Sequence, residues 1–117
     1  MPRHTAPTRV GLMIAAVICM GAVTAAQPLT VMQKNRQFDQ ANVRVVAGDT
    51  VNFTNEDEFL HQIYVSSSGF NFDSNEQAPG DVVTVKFPVP GEFDVLCGIH
   101  PRMRLHVSVG KSAATKR

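Results

Sequence analysis

Cys97, His100 and Met103 bring a thiol, an imidazole and a thioether into seven residues, at the spacing Cys-x2-His-x2-Met. Soft sulfur donors beside a borderline nitrogen donor are the set that holds copper in both of its common oxidation states. Two histidines and a cysteine in a trigonal arrangement, with a distant axial methionine, form the blue-copper type of electron-transfer centre. The stretch supplies three donors of that set. The rest of the chain must then provide one more histidine and a frame stiff enough to hold them.

The search for the second histidine is short, because the chain has four. His4 lies in an N-terminal segment that reads as a secretory signal over residues 1–26. Arg3, His4 and Arg9 make a basic start, residues 10–20 are almost wholly apolar, and Thr24-Ala25-Ala26 offers small residues for cleavage before Gln27. The apolar run is short for a membrane span, which needs about 20 residues. His106 alternates with Arg104 and Ser108, whereas Met103, Leu105, Val107 and Val109 share the other face of the same strand, so His106 is expected on the surface. His61 shares a face with Ile63 and Val65 and is therefore expected to point inward. It is the histidine left to complete the set His61, Cys97, His100 and Met103.

Removing 26 of 117 residues leaves 91, enough for one domain spanning residues 27–117. Arg3 and Arg9 leave with the signal, so nine Lys and Arg face ten Asp and Glu, a net charge near −1. Such a balance gives no basic field for nucleic acid. Cys19 also leaves, and Cys97 remains as a lone thiol that cannot form an internal disulfide. In an exported chain a lone thiol meets an oxidising compartment, and a metal bond gives it a reason to be there.

Helix signals are nearly absent beyond residue 26. Apolar residues alternate in short runs, over 29–34, 42–46, 50–54, 61–66, 81–87, 92–97 and 103–109, separated by Gly, Pro, Asn and Asp. Phe38 is expected to begin a loop, residues 55–58 to form a polar loop, residues 66–81 a long one, and residues 111–117 a frayed tail. About seven strands without a covering helix imply an all-β sandwich of two antiparallel sheets. On that parity Cys97 continues the inward row of Phe93 and Val95, and Met103 opens the row of Leu105 and Val107. The donors thus lie at the ends of core-facing rows, where a sandwich closes.

These residues resemble the cupredoxins, the small blue copper proteins, and among them the amicyanin and plastocyanin group. The likeness runs from about residue 29 to 109. It is carried by Gly48-Asp49 leading into Val51-Asn52-Phe53-Thr54-Asn55, by His61 before an alternating strand, and by residues 91–103 ending in Cys97-Gly98-Ile99-His100-Pro101-Arg102-Met103. The short gap between His100 and Met103 is similar to that of amicyanins. The resemblance implies a Greek-key β-sandwich, one bound copper ion and one-electron shuttling, with His100 as the port nearest the surface. With the cleavable signal, the expected protein is a periplasmic monomer with redox partners such as a c-type cytochrome or a periplasmic dehydrogenase or oxidase, although the identity of the partner does not transfer from amicyanin. Three positions depart from the family pattern. Gln62 stands where asparagine is common, Gly98 where serine or threonine is common, and Phe93 where tyrosine is usual. The first two remove the pair that ties the ligand loops together, a tie expected to be lost or replaced by a backbone bond.

An electron carrier is therefore the expected role, and copper binding or delivery without electron shuttling is the alternative. An oxidase or reductase would need a second copper site or a substrate pocket, and a cysteine protease would need a cleft and an orienting residue. Ile99 and Pro101 are expected to surround His100 with a small apolar patch. Glu56, Asp57 and Glu58 could steer a basic partner, although Arg102 and Arg104 add positive charge close by.

Overall fold

The computed structural model describes residues 1–8, 10–18 and 27–112. The expected cleavage site at Ala26, Cys19 and most of the 111–117 tail lie outside the described residues. Residues 1–8 and 10–18 form no helix or strand and are exposed, Val10, Leu12, Ile14 and Ile18 among them. This apolar run takes no part in the core.

Nine strands follow: β1 (Leu29–Lys34), β2 (Gln37–Phe38), β3 (Asn42–Val46), β4 (Thr50–Asn55), β5 (His61–Val65), β6 (Phe72–Gln77), β7 (Val82–Lys86), β8 (Gly91–Leu96) and β9 (Arg104–Gly110). They form two sheets, ordered β2-β1-β4-β7 and β3-β9-β8-β5-β6. The all-β sandwich is as expected, and every expected strand is present. The sheets are mixed rather than antiparallel, because β1 runs parallel to β4 and β3 parallel to β9. The cause is β3, which crosses to the second sheet between the two strands that pair in the first. Side-chain alternation reports which face a residue occupies and carries no information on the direction of the neighbouring strand.

Two further differences have local causes. Phe38 does not begin a loop but pairs with Gln33 in a short antiparallel extension of β1. Its ring packs edge-on against Phe53, with centroids 6.0 Å apart. The expected loop over residues 66–81 contains β6, which pairs with β5 at the sheet edge. Phe72 is the only apolar residue in β6. The strand is held by backbone bonds, and its polar side chains suit an exposed edge.

The inward rows behave as their parity requires. Val31, Val51, Phe53, Ile63, Val85, Phe87, Val95, Leu105 and Val107 are fully buried between the sheets. Burying a side chain of this kind contributes roughly 1.5–3 kcal/mol, and the rows from both sheets interdigitate into one core. Phe93, four residues before Cys97 on β8, joins Phe70 at 5.7 Å and Phe87 at 6.3 Å in an aromatic cluster. No hydroxyl is needed there.

A buried amide network lies beside this apolar core. Gln33, Asn55 and Gln77 come from three strands in both sheets and are at most 2% exposed. Gln33 Nε2 donates to Gln77 Oε1 at 2.7 Å, and Gln77 Nε2 donates to the carbonyls of Phe53 and Asp81, each at 2.9 Å. Asn55 Nδ2 donates to the carbonyls of Phe59 and Gln77 at 2.9 and 3.1 Å, while its Oδ1 accepts the Asp57 N–H at 2.9 Å. Asn55 thereby fixes the loop that enters β5, and His61 is the first residue of β5.

Candidate metal centre

His61 is fully buried at the end of β5. Its Nε2 lies 2.8 Å from Asp57 Oδ2. A carboxylate accepts only, so Nε2 carries the proton and donates it. The other ring nitrogen, Nδ1, faces Cys97 Sγ at 3.8 Å. Cys97 is 2% exposed, and its sulfur accepts the Gln62 N–H at 3.3 Å.

Asp57 does more than orient this ring. Its two oxygens also accept the N–H groups of Asn35 at 2.7 Å and Arg36 at 3.1 Å. These are the two left-handed residues of the β1–β2 turn, with φ of 55° and 57°. Burial pushes the Asp57 carboxyl up, but the hydrogen bonds from His61, Arg36 and Asn35 together outweigh it and hold the group below the usual carboxylate range. The side chain is 7% exposed. The expectation that Asp57 is part of a solvated steering face is therefore corrected: the carboxylate is committed inward, to a turn and to an imidazole.

His100 lies on the loop between β8 and β9 and is half-buried. Its ring meets that of His61 edge-on at 4.9 Å between centroids, and Phe59 contacts both, at 5.4 Å from His61 and 5.2 Å from His100. His100 Nε2 is 3.3 Å from the Leu60 carbonyl oxygen, which can only accept. Met103 closes the loop, its N–H donating to the His100 carbonyl at 3.0 Å, and its side chain is 2% exposed. The structure thus brings His61 and Cys97 together across 36 residues of chain, sets His100 against His61, and buries Met103 at the base of the same loop.

His106 is half-exposed on the outer face of β9, as its parity requires. It is more than a solvated side chain. Its Nδ1 is 3.1 Å from Asp94 and its Nε2 2.6 Å from Glu92.

Gln62 and Gly98 answer the missing tie between the ligand loops. A Cβ at Gly98 would stand 2.3 Å from Gln62 Oε1, so the Gln62 amide occupies the space a side chain there would need. On its other side Gln62 Nε2 donates to Asp73 Oδ1 on β6 at 2.9 Å. This bond and the Asn75 N–H lower the Asp73 carboxyl. The backbone bond from Gln62 to Cys97 is present as well, so the tie is rebuilt from a longer amide, a missing side chain and the neighbouring strand.

Sequence reading assigned no role at the site to Asp57, Asn55 or Phe59, which support the histidines. One signal was available. Asn55 shares the inward parity of Val51 and Phe53, and a buried asparagine at a strand end marks a loop that must be anchored.

The donor types suit copper. Two first-row metal bonds to nitrogen and sulfur, each about 2.0–2.3 Å, can bridge the 3.8 Å between His61 Nδ1 and Cys97 Sγ. The sulfurs of Cys97 and Met103 and the imidazoles of His61 and His100 are the soft and borderline donors that copper selects.

Comparison with known proteins agrees with this chemistry. Residues 25–110 match the model of a family described as copper binding proteins, plastocyanin/azurin family. The chain is similar to amicyanin-alpha of Methylorubrum extorquens, with 29% identity over 103 residues that cover 80% of this chain and 86% of that one. It is also similar to the chloroplastic plastocyanin of Tetradesmus obliquus, with 33% identity over 72 residues covering 54% of this chain and 50% of the other. The chain therefore spans half the length of that plastocyanin. Among solved structures, amicyanin from Paracoccus versutus shares the fold at a TM-score of 0.65 and 23% identity, over 75% of this chain and 86% of that one. A copper-containing nitrite reductase from Thermus scotoductus aligns at a TM-score of 0.67 and 26% identity, over 75% of this chain but 23% of the enzyme.

Proposed function

The chain belongs to the plastocyanin/azurin family of copper-binding proteins, and from that premise we propose that it is an exported one-electron carrier with His61, Cys97, His100 and Met103 as its copper ligands. One observation carries the ligand assignment. His61 is buried with Nε2 committed to Asp57 and Nδ1 left facing the only cysteine sulfur among the described residues. The same reasoning applies to His100, where the Leu60 carbonyl takes Nε2 and leaves Nδ1 as the donor.

One copper ion bound by these residues would supply the redox chemistry, alternating between Cu(I) and Cu(II) as it takes up and releases one electron. The protein's part is to keep the donors still. Asp57 fixes the His61 ring, and Asn55 fixes the loop that carries Asp57. Gln62 bonds Cys97 Sγ through its backbone N–H, and its side-chain amide fills the space beside Gly98. Donors that do not move between oxidation states keep the reorganisation small. Cys97 would hold the ion as a thiolate and Met103 would add a weaker thioether donor. Half-buried His100, beside exposed Ile99 and Leu60, is the route by which electrons reach the surface.

The role is that of a carrier and not an enzyme. The match to the nitrite reductase takes in less than a quarter of that protein. Its partners are redox proteins, a c-type cytochrome or a periplasmic dehydrogenase or oxidase, which it meets as a monomer in the periplasm after cleavage behind Ala26.

The test is direct. Copper(II) added to the purified chain should give an intense blue colour that reductant bleaches and oxidant restores, and Cys97→Ser should abolish it. A colourless protein that binds copper(I) alone would replace the carrier reading with copper delivery. Material recovered from the periplasm should begin at Gln27. A retained N-terminal segment would overturn cleavage behind Ala26, and absence of the protein from the periplasm would overturn the export reading.

A further inference from the structure

Beside His100 the surface dips into a cavity of about 420 Å³ lined by Asn35, Arg36, Gln37, His100, Pro101 and Arg102. Two guanidinium groups share this lining with the electron port, and no carboxylate does. Glu56 and Glu58 are exposed on the loop that enters β5 but line no part of the cavity, and two other acids of this end of the molecule are already engaged. Asp57 is turned inward onto His61 and the β1–β2 turn, and Asp94 pairs with Arg104. Arg36 is also held in place. Its left-handed backbone is pinned by Asp57, and its guanidinium lies 4.6 Å from the centroid of Phe59, the ring that contacts both His61 and His100.

We propose that this notch is the docking surface for an acidic redox partner, whose carboxylates engage Arg36 and Arg102 while an apolar rim of its own meets Ile99 and Leu60 around His100. The proposal rests on the carrier reading and adds the sign of the partner's charge to it. That sign is opposite to the one suggested by the Glu56–Glu58 run in the sequence. Guanidinium groups suit the task because their planar forks grip carboxylates in pairs, and a fixed charge at the port steers encounter as well as holding the complex. The electron step itself is simple: one electron leaves the reduced copper for the partner's cofactor, and no bond or proton moves.

The test compares oxidants of opposite charge on the copper-loaded, reduced protein. Hexacyanoferrate(III), an anion, accepts one electron to become hexacyanoferrate(II), and tris(phenanthroline)cobalt(III), a cation, accepts one to become the cobalt(II) complex. Exchange with the anion should slow as salt is added, because exposed charges are screened. Arg36→Gln/Arg102→Gln should lower the anion rate by roughly three- to tenfold at low ionic strength, leave the cation rate equal or faster, and leave the blue spectrum intact. A basic c-type cytochrome should exchange more slowly than the same cytochrome with its lysines succinylated, at matched driving force. Equal losses with both small oxidants, no loss with either, or preference for the basic cytochrome would overturn the proposal. Stoichiometric block by millimolar inorganic phosphate would overturn it too, by making the notch a small-anion pocket. Absence of a reversible blue colour in the parent protein would instead sink the carrier reading beneath it.

Discussion

Two histidines of this chain bond to carboxylates, and their surroundings send them to different work. At the end of the sandwich, His61 has one nitrogen on Asp57 and the other facing the Cys97 sulfur, all within a buried site. On the outer face of β9, His106 has a carboxylate on each nitrogen, Asp94 on Nδ1 and Glu92 on Nε2. The first arrangement keeps a lone pair free and points it at a soft sulfur, which suits a metal donor. The second asks both nitrogens to donate, which favours the imidazolium and makes a surface cation. What separates them is the number of nitrogens a carboxylate takes, and that number follows from the strand face each histidine occupies.

Exchanging the histidines one at a time is the hardest test of this contrast. His61→Ala should remove the blue colour and the rise in thermal midpoint on adding copper, since a ligand that binds only the folded state stabilises it. His106→Ala should leave both in place. Equal loss of colour in the two variants would break the comparison at its root.

The next effect down concerns the carboxylates. Asp57→Ala strips a buried imidazole N–H and two turn N–H groups of their acceptor, and should cost about 2–4 kcal/mol in denaturant unfolding of the copper-free protein. Glu92→Ala removes bonds at the surface from His106 and Ser108 and should cost far less. Closer to the metal, Gly98→Ser forces the Gln62 amide out of the space it fills. The expected outcome is a shifted blue absorption and a changed reduction potential with a modest loss of stability. Gln62→Ala added to Gly98→Ser should restore much of the stability by vacating the space. A Gly98→Ser protein with unaltered spectrum and potential would show that the amide has other room.

How much of this was legible in the sequence divides along the same line. Parity alone separated His61 from His106, because Ile63 and Val65 mark one face and Arg104 and Ser108 the other. The strands with apolar alternation were equally readable, and so was the sandwich they build. β6 was not, since an edge strand of Asp, Ser, Asn and Glu pairs through its backbone and leaves no apolar trace. The parallel pairing of β1 with β4 was hidden for a related reason: it depends on where β3 goes. At the site, donor types and spacing could be read, but their support could not. Asp57 sits in a run of acids that looks solvated, and the partners that draw it inward are His61 and the left-handed turn at Asn35 and Arg36, more than 20 residues earlier in the chain. Gln62 and Gly98 were legible as departures. Their fit to each other needed three dimensions.

The smallest expected effect belongs to His106, and pH is the way to see it. Asp94 and Glu92 raise the His106 pKa above its ordinary value. Arg104 and then His106 lower Asp94, while Ser108 and then His106 lower Glu92. A raised histidine contributes stability that is fully present below about pH 6.5, its unfolded value, and is lost as pH rises through the folded value. The lowered carboxylates contribute above about pH 4, and that contribution is lost as pH falls through their folded values. The cluster should therefore stabilise the copper-free protein most between about pH 4.5 and 6.5. The bonds from Arg104 to Asp94 and from Ser108 to Glu92 favour the ionised acids there, so the imidazole is the group that changes charge at the upper edge. The difference in thermal midpoint between the parent chain and His106→Gln should be largest at pH 5.5 and shrink by pH 8.5. A difference that stays constant across that range, or grows with pH, would mean that His106 acts through packing rather than charge. The contrast with His61 would then rest on burial alone.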